Sequence, residues 1–269
     1  MAKAWCLRGR EAILQKVVFE VRYRFGFTYL DTCGRTVNTI MREHPEWLLR
    51  SESANPQNAP LLSLSNSCVF NFSALKYDLS LERPPDKDPL SEEDVNLFAQ
   101  QADDLHAITV DSLGLREFTR IGFRAWLLFP CSSEEESETW LRGLGCYRIE
   151  PGLVSALGAS VDSSSFSVVV VGEDRKYRIA LNGVEQQAQI DFGQGILGVR
   201  ARDLNEKQKE FLKKQLAVKK RLRQAPEFAA MIDVDAFQEL PKIIAPRDFI
   251  ATSMAQFRAG LSKAVREGG

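Results

Sequence analysis

The sequence predicts an α+β protein in which mainly antiparallel sheets are flanked by helices. Three observations lead to this fold class. Several segments alternate apolar and polar residues with the period of two that is typical of half-buried strands. Other segments place apolar residues three and four positions apart, as amphipathic helices do. Hydrophobic residues make up 44% of the 269 residues, which is enough for a core of ordinary size.

The first half of the chain is predicted to follow the order β-α-β-β-α-β. Apolar and polar residues alternate from Lys16 to Phe25, and this pattern predicts the first strand. A helix over residues 32–43 ends before Pro45, because the residue that precedes a proline is pushed away from helical geometry. The remaining elements are strands over residues 62–72 and 74–82, a helix over residues 92–106 that Ser91 caps, and a strand over residues 116–129.

The second half of the chain is predicted to mix strands and helices in the same coarse way. Ser133 and Glu136 have the spacing of a capping box, which predicts the start of a short helix. Residues 166–171 and 177–181 predict a hairpin, because they flank a short turn that begins with glycine. The predicted elements that follow are a strand over residues 187–199, a helix over 204–222, a strand over 231–237 and a helix over 246–266.

The likeness between the two halves predicts two pseudo-duplicated subdomains. The first comprises residues 1–130. The second comprises residues 131–269 and contains a basic helix at residues 204–223 and the terminal helix at residues 246–266.

Composition indicates an intracellular protein, and we expect it to be cytoplasmic. Arg8, Gly9 and Arg10 interrupt the region where a secretory peptide would be apolar. The five cysteines are an odd number without a C-x-x-C pair, so reduced thiols are expected. No apolar run approaches the length of a membrane span, and no membrane association is expected.

Histidine is scarce, which limits the catalytic chemistry available to the chain. The two histidines are His44 and His106, so histidine-based metal sites and nucleophile–histidine pairs have few residues to draw on. His106 has three aspartates nearby in the sequence and could serve as a general base that a carboxylate orients. The end of an acidic helix explains the same residues. We therefore expect a protein that is not an enzyme.

Residues 193–198 match the G-x-G-x-x-G pattern of dinucleotide-binding proteins. That chemistry needs a helix whose N-terminus receives the pyrophosphate, and an acidic residue for the ribose. Here Val-Arg-Ala-Arg at residues 199–202 follows the glycines directly, and the position for the ribose acid falls in a lysine-rich predicted helix without that acid. A kinked or bulged strand explains the glycines better. No cofactor is therefore expected.

Two aspartates on a predicted strand form a candidate metal site. Asp233 and Asp235 are separated by one residue, so both carboxylates lie on the same side of the strand. Paired carboxylates of this kind can hold a divalent cation in a nuclease. The alternative is that the two carboxylates pair with basic neighbours.

The predicted helix at residues 204–223 carries a dense basic face. Eight lysines and arginines lie between Glu206 and Arg223, against two glutamates. The side chains predicted to face outward are Lys213, Lys214, Lys220 and Arg221. Such a face could bind the phosphate backbone of a nucleic acid or an acidic protein partner. A solvated helix surface is the alternative.

Three short motifs resemble those of a sporadically distributed family of uncharacterised bacterial proteins. The motifs are V-V-F-E-V-R at residues 17–22, T-R-I-G-F-R at residues 119–124 and M-I-D-V-D-A-F at residues 231–237, the last followed by a terminal helix. The family has no established activity. Its patchy distribution implies an accessory role, such as toxin neutralisation or phage defence. Asp233 and Asp235 fall on its recurrent Asp-x-Asp.

The sequence favours a non-catalytic protein that binds another macromolecule, most simply another protein. A component of a bacterial defence or toxin–antitoxin assembly fits this expectation. The alternative is a nucleic-acid-binding protein or a metal-dependent nuclease that uses the basic helix together with Asp233 and Asp235.

Overall fold

The computed structural model describes residues 5–50, 58–83, 88–148, 151–158, 164–185 and 228–266. Within these residues the strands are β1 (Trp5–Leu7), β2 (Arg10–Tyr23), β3 (Trp47–Leu49), β4 (Ala59–Ser63), β5 (Val69–Phe72), β6 (Lys76–Glu82), β7 (Phe118–Cys131), β8 (Ser165–Val171), β9 (Lys176–Glu185) and β10 (Phe228–Glu239). The α-helices are α1 (Tyr29–Glu43), α2 (Glu92–Leu113), α3 (Glu134–Gly143), α4 (Pro151–Ala156) and α5 (Pro246–Arg266).

The strands form one antiparallel sheet, and the predicted α+β fold class is confirmed. Its strand order is β3-β4-β5-β6-β2-β7-β10-β9-β8, with β1 paired to β2 outside this path. The central strands β2, β7 and β10 come from the beginning, the middle and the end of the chain. The predicted boundary at residue 130 falls within β7, and the division into two subdomains stays a prediction.

Helices α1, α2, α3 and α5 pack on one face of the sheet, and the core lies between. Phe123 of β7 is fully buried there. Its ring stacks on Phe257 of α5, with 6.0 Å between centroids, and lies 6.4 Å from the ring of Phe98 of α2. The period of two in β2 and β7 sends the alternate residues to the opposite face, where charged side chains predominate.

The capping signal predicted for α2 is confirmed. The Ser91 side chain accepts from the backbone N–H of Asp94, and the Asp94 carboxylate accepts from the backbone N–H of Ser91. The helix continues past the predicted end at His106 to Leu113, which is itself buried and extends the apolar face of the helix. Gly114 then adopts the left-handed conformation that ends it, with φ of 63°.

The single strand predicted over residues 62–72 is wrong in one respect. It is two strands, β4 and β5, which pair with each other across a tight turn. In that turn Ser67 has a φ of 64°, and the Asn66 side chain accepts from the backbone N–H of Cys68. Serine and asparagine favour turns through such local hydrogen bonds, so they outweigh the apolar residues around them.

Two further findings concern the described residues alone. None of the helices in these ranges is long and apolar enough to cross a bilayer. All five cysteines are free thiols, two of them buried.

Candidate functional site

Asp233 and Asp235 lie on the same face of β10, as their spacing predicts. The strand is central in the sheet, so both carboxylates are flanked by β7 on one side and β9 on the other. Asp233 is 3% exposed and Asp235 is 9% exposed. Two buried carboxylates on one strand need partners, because an unpaired charge is costly to remove from water.

Asp233 is held by two arginines from the neighbouring strands. The Nε of Arg124 donates to Oδ1 at 2.6 Å, and its Nη2 donates to Oδ2, so the pair is bidentate. Arg178 of β9 donates to the same Oδ2 at 3.2 Å. Bidentate guanidinium–carboxylate pairs are among the strongest charge-assisted hydrogen bonds. The Asp233 carboxylate is therefore fully engaged.

A third arginine, Arg120, bonds to Asp235 and also to Glu20 of β2. Arg120 donates from Nη2 to Asp235 Oδ2 at 2.7 Å and from Nη1 to Glu20 Oε1 at 2.7 Å. Glu20 also pairs with Arg22 and Lys76. We call Glu20, Arg120, Arg124, Arg178, Asp233 and Asp235 the arginine–carboxylate network. It joins four neighbouring strands, β2, β7, β10 and β9.

Burial and pairing have opposite effects on the pKa values of Glu20 and Asp235. Burial raises the pKa of Asp235, and the nearby guanidinium of Arg120 works against that shift. Burial also acts to raise the pKa of Glu20, but hydrogen bonds and charges from Arg22 and Lys76 outweigh it and lower the pKa. The hydrogen bond to Asp233 raises the pKa of Arg124. Burial therefore outweighs pairing at Asp235, whereas pairing outweighs burial at Glu20.

The arrangement suits a structural ion-pair network better than a metal centre. The carboxylate oxygens that a cation would need already accept hydrogen bonds from arginines. In the described part of the chain, no group of three or more histidine, cysteine, aspartate or glutamate side chains is placed to hold a metal ion. The metal-site hypothesis for Asp233 and Asp235 stays a prediction.

The basic face predicted on residues 204–223 lies outside the described residues. This applies to Lys213, Lys214, Lys220 and Arg221, and equally to the glycine motif at 193–198 and the strand predicted over residues 187–199. Nucleic-acid binding through that face therefore stays a prediction.

His106 is paired with a tyrosine and lies in an aromatic environment. Its Nδ1 forms a hydrogen bond with the Tyr77 hydroxyl, and its ring lies 6.2 Å from that of Phe118. Burial lowers the pKa of His106 to about 4, although the Asp103 carboxylate acts in the opposite direction. The side chain is therefore a neutral structural element near pH 7, and its hydrogen-bond partner is a hydroxyl group.

We expect His106 to make the free energy of unfolding depend on pH between 4 and 6.5. The folded pKa of about 4 lies below the ordinary value of 6.5, so the unfolded chain binds more protons in this window. The stability is present in full above pH 6.5 and is lost as the pH falls towards 4. A shift of this size corresponds to at most about 3 kcal/mol. Urea unfolding of the wild type and of His106→Gln from pH 4 to 7 measures it.

The wild type and His106→Gln contain the same carboxylates. The difference between the pH dependences of their unfolding free energies therefore gives the contribution of His106. Stability that falls more steeply in the wild type than in His106→Gln supports the assignment. Parallel curves across the whole range would contradict it.

β8 is the outermost of the described strands at its end of the sheet, a position that the sequence did not reveal. It pairs with β9 on one side, and no other described strand pairs with it. Its last four residues are valines, and all are exposed, Val169 to 51% and Val171 to 71%. The strand contains neither a charged residue nor a proline. Natural proteins usually place such residues on edge strands to prevent pairing with other chains.

The hairpin turn shows which backbone groups of β8 point away from the sheet. The Gly172 N–H donates to the Arg175 carbonyl at 2.9 Å. Hydrogen-bonded and non-hydrogen-bonded pairs alternate along an antiparallel ladder. Val168 and Val170 therefore bond to β9, and Val169 directs its backbone N–H and C=O to the outer edge. Ser167 and Val171 share the orientation of Val169. We call the outer side of Ser165–Val171 the β8 edge.

A cavity of about 270 Å³ lies beside the start of β8. Its described lining comes from α3 and from the β8–β9 hairpin, and it includes Glu134, Ser137, Glu138, Ser164 and Gly183. Glu138 is 5% exposed, and its Oε2 accepts from the Ser164 hydroxyl at 2.5 Å. Ser164 also forms a hydrogen bond with the Tyr147 hydroxyl. The cavity is thus polar and acidic.

The comparisons with known proteins identify no relative. No protein-family model matches the chain, and neither a curated protein nor a solved structure matches it.

Proposed function

We propose that this chain is a non-catalytic macromolecule-binding protein, which binds another protein by adding an extended segment of that protein to the β8 edge. The observation that carries the proposal is the edge itself. It offers outward backbone donors and acceptors, exposed valines on both faces, and no charge or proline to prevent pairing. Strand addition of this kind uses the backbone for affinity and alternate side chains for selectivity.

The state of the polar groups supports binding rather than catalysis. His106 is hydrogen-bonded to Tyr77 and is neutral near pH 7. Asp233 accepts hydrogen bonds from Arg124 and Arg178. These groups stabilise the fold. The setting that we propose is the cytoplasm, in an accessory assembly such as a defence or toxin–antitoxin complex.

The test is a proline at the β8 edge. Val169→Pro removes one outward N–H without removing a hydrogen bond to β9, so the sheet is expected to remain folded while strand addition fails. Val169→Thr keeps the N–H and the branched side chain, and serves as the matched control. Each immobilised protein is exposed to extract from the source organism. A discrete protein that the wild type and Val169→Thr retain should bind Val169→Pro at least about tenfold more weakly.

Hydrogen exchange on the reconstituted pair then locates the contact. The amides of Ser167, Val169 and Val171 should gain protection when the purified partner is added. Equal retention by Val169→Pro, or protection elsewhere in the chain, would refute the proposal. Two other results would assign the β8 edge to a different binding partner. If the wild type is a dimer and Val169→Pro is a monomer, the edge binds a second copy of this chain. If the amides of the β8 edge are protected in the isolated monomer, the edge binds another segment of the same chain.

A further inference from the structure

We infer that the acidic cavity beside the start of β8 receives a basic side chain, arginine or lysine, of the segment that the β8 edge binds. This inference rests on the proposed function, because it names the chemistry of the same partner. It follows from the burial of Glu138, from the space that Gly183 leaves, and from the position of the cavity relative to β8.

Glu138 is a buried carboxylate that lacks a cationic partner among the described residues. It is 5% exposed, yet its side chain accepts from a neutral hydroxyl, that of Ser164. No described residue donates to its Oε1, and the side chain lines the cavity. Every buried carboxylate of the arginine–carboxylate network, in contrast, has an arginine. A buried charge is stable when it is paired, so this site is complementary to a cation.

Gly183 of β9 creates the room for this carboxylate. A Cβ at that position would lie 2.8 Å from Glu138 Oε1 and 3.4 Å from Ser137 Oγ, so a side chain there would collide with the acid. Glycine inside a strand weakens the sheet, and often marks a close approach of another group. Here it keeps the oxygen of Glu138 accessible within the cavity.

The register of the hairpin places the cavity within reach of a strand on the β8 edge. Ser165 pairs with Asn182, so Ser164 lies beside Gly183. A strand added to β8 would lie two strand spacings from β9, about 10 Å. Arginine and lysine carry their charge on long stems, and a side chain at the end of the added strand near Ser165 can extend over β8 into the cavity.

The lining favours an organic cation over a metal ion. Glu134 adds a second carboxylate one helical turn from Glu138, and the remaining described polar groups are neutral. No described cluster supplies the three or more acidic, histidine or cysteine ligands of a metal centre. A guanidinium or ammonium group can instead donate to Glu138 Oε1 and to nearby hydroxyl oxygens.

The test uses two fluorescent peptides that differ only in charge. Both have an alternating valine–threonine centre. One has arginine at each end, so that either strand direction is covered, and the other has the neutral isostere citrulline. Binding by anisotropy is measured on the wild type, Glu138→Gln and Val169→Pro. The wild type should bind the arginine peptide about tenfold more tightly than the citrulline peptide. Glu138→Gln should bind the two equally, and Val169→Pro should bind neither.

The outcomes separate this inference from the proposed function. If the wild type binds both peptides equally well, the inference is refuted and strand addition stands. The arginine-to-citrulline ratio on the wild type needs no variant, so it remains informative if Glu138→Gln does not fold. Because no described residue gives the buried Glu138 a counter-charge, we expect Glu138→Gln to unfold at the same or a higher urea concentration than the wild type.

A small guanidinium compound shows whether the cation in the cavity is a side chain of the bound segment or a free small molecule. Agmatine is titrated onto the wild type, Glu138→Gln and Val169→Pro by calorimetry. If neither peptide binds the wild type, strand addition with these probes has failed, and agmatine binding that requires Glu138 would still support the cation site. Absence of agmatine binding in that case would refute it. Agmatine binding much tighter than that of the arginine peptide would assign the site to a free small molecule, against the inference.

Discussion

Replacing Asp233 with alanine is expected to lower the free energy of unfolding by about 1.5–3 kcal/mol, the range for hydrogen bonds to charged groups, because the acid is buried while both of its arginines are more than a third exposed. The carboxylate is buried between two arginines, and its loss leaves Arg124 and Arg178 close together without their shared acid. Asp233→Asn keeps the shape and one acceptor oxygen, so a smaller loss is expected. Urea denaturation near pH 7 measures both.

The matched control is a carboxylate in an exposed ion pair. Glu239 pairs with Lys176 at 2.6 Å, and its side chain is 55% exposed. Exposed pairs contribute about 0–1 kcal/mol, so Glu239→Gln should change the free energy of unfolding little. If Asp233→Ala costs no more than Glu239→Gln, the arginine–carboxylate network does not stabilise the sheet. If the wild type binds a divalent metal ion and Asp233→Asn does not, the metal-site hypothesis is favoured.

Phe123→Ala is expected to lower the free energy of unfolding by about 3–5 kcal/mol, because it removes a large ring from a fully packed site. The ring is fully buried and is the contact between β7 and two helices, through Phe98 of α2 and Phe257 of α5. Neither helix can refill the space without losing contacts of its own. Urea denaturation followed by circular dichroism measures the loss.

Phe27→Ala provides the same chemical change at an exposed position. Phe27 is 59% exposed, so its removal should alter the free energy of unfolding by less than about 0.5 kcal/mol. A cost for Phe123→Ala that is close to that of Phe27→Ala would show that α2 and α5 do not pack on β7 as described.

The local elements could be predicted where one short-range signal dominated. The alternation in β2 predicted both the strand and its buried face, including Phe19 and Val21. The capping residues Ser91 and Ser133 predicted the starts of α2 and α3. These signals act over a few residues, so they can be read without knowledge of the tertiary structure. The turn between β4 and β5 was missed because its serines and asparagine lie within an apolar run.

The candidate sites depend on contacts between segments that are distant in the sequence, and no local sequence pattern predicts such contacts. The shared face of Asp233 and Asp235 was predictable from the period of two. Their partners were not, because Arg120, Arg124 and Arg178 become neighbours only once β7 and β9 flank β10. The hairpin that contains β8 was predicted, but its position at the edge depends on the order of the whole sheet. The accessible carboxylate of Glu138 was likewise not predictable, because it depends on the space that Gly183 leaves on a later strand.

The place of β10 in the sheet has a consequence for how the chain folds. It follows every other described strand in the sequence, and yet it lies between β7 and β9. Until residues 228–239 have left the ribosome, both neighbours present unpaired edges of their own. Sheets completed by such long-range pairing fold slowly, and their open edges favour aggregation in the meantime. Nascent chains of this protein therefore pass through an interval in which a chaperone that shields strand edges would raise the yield of folded molecules.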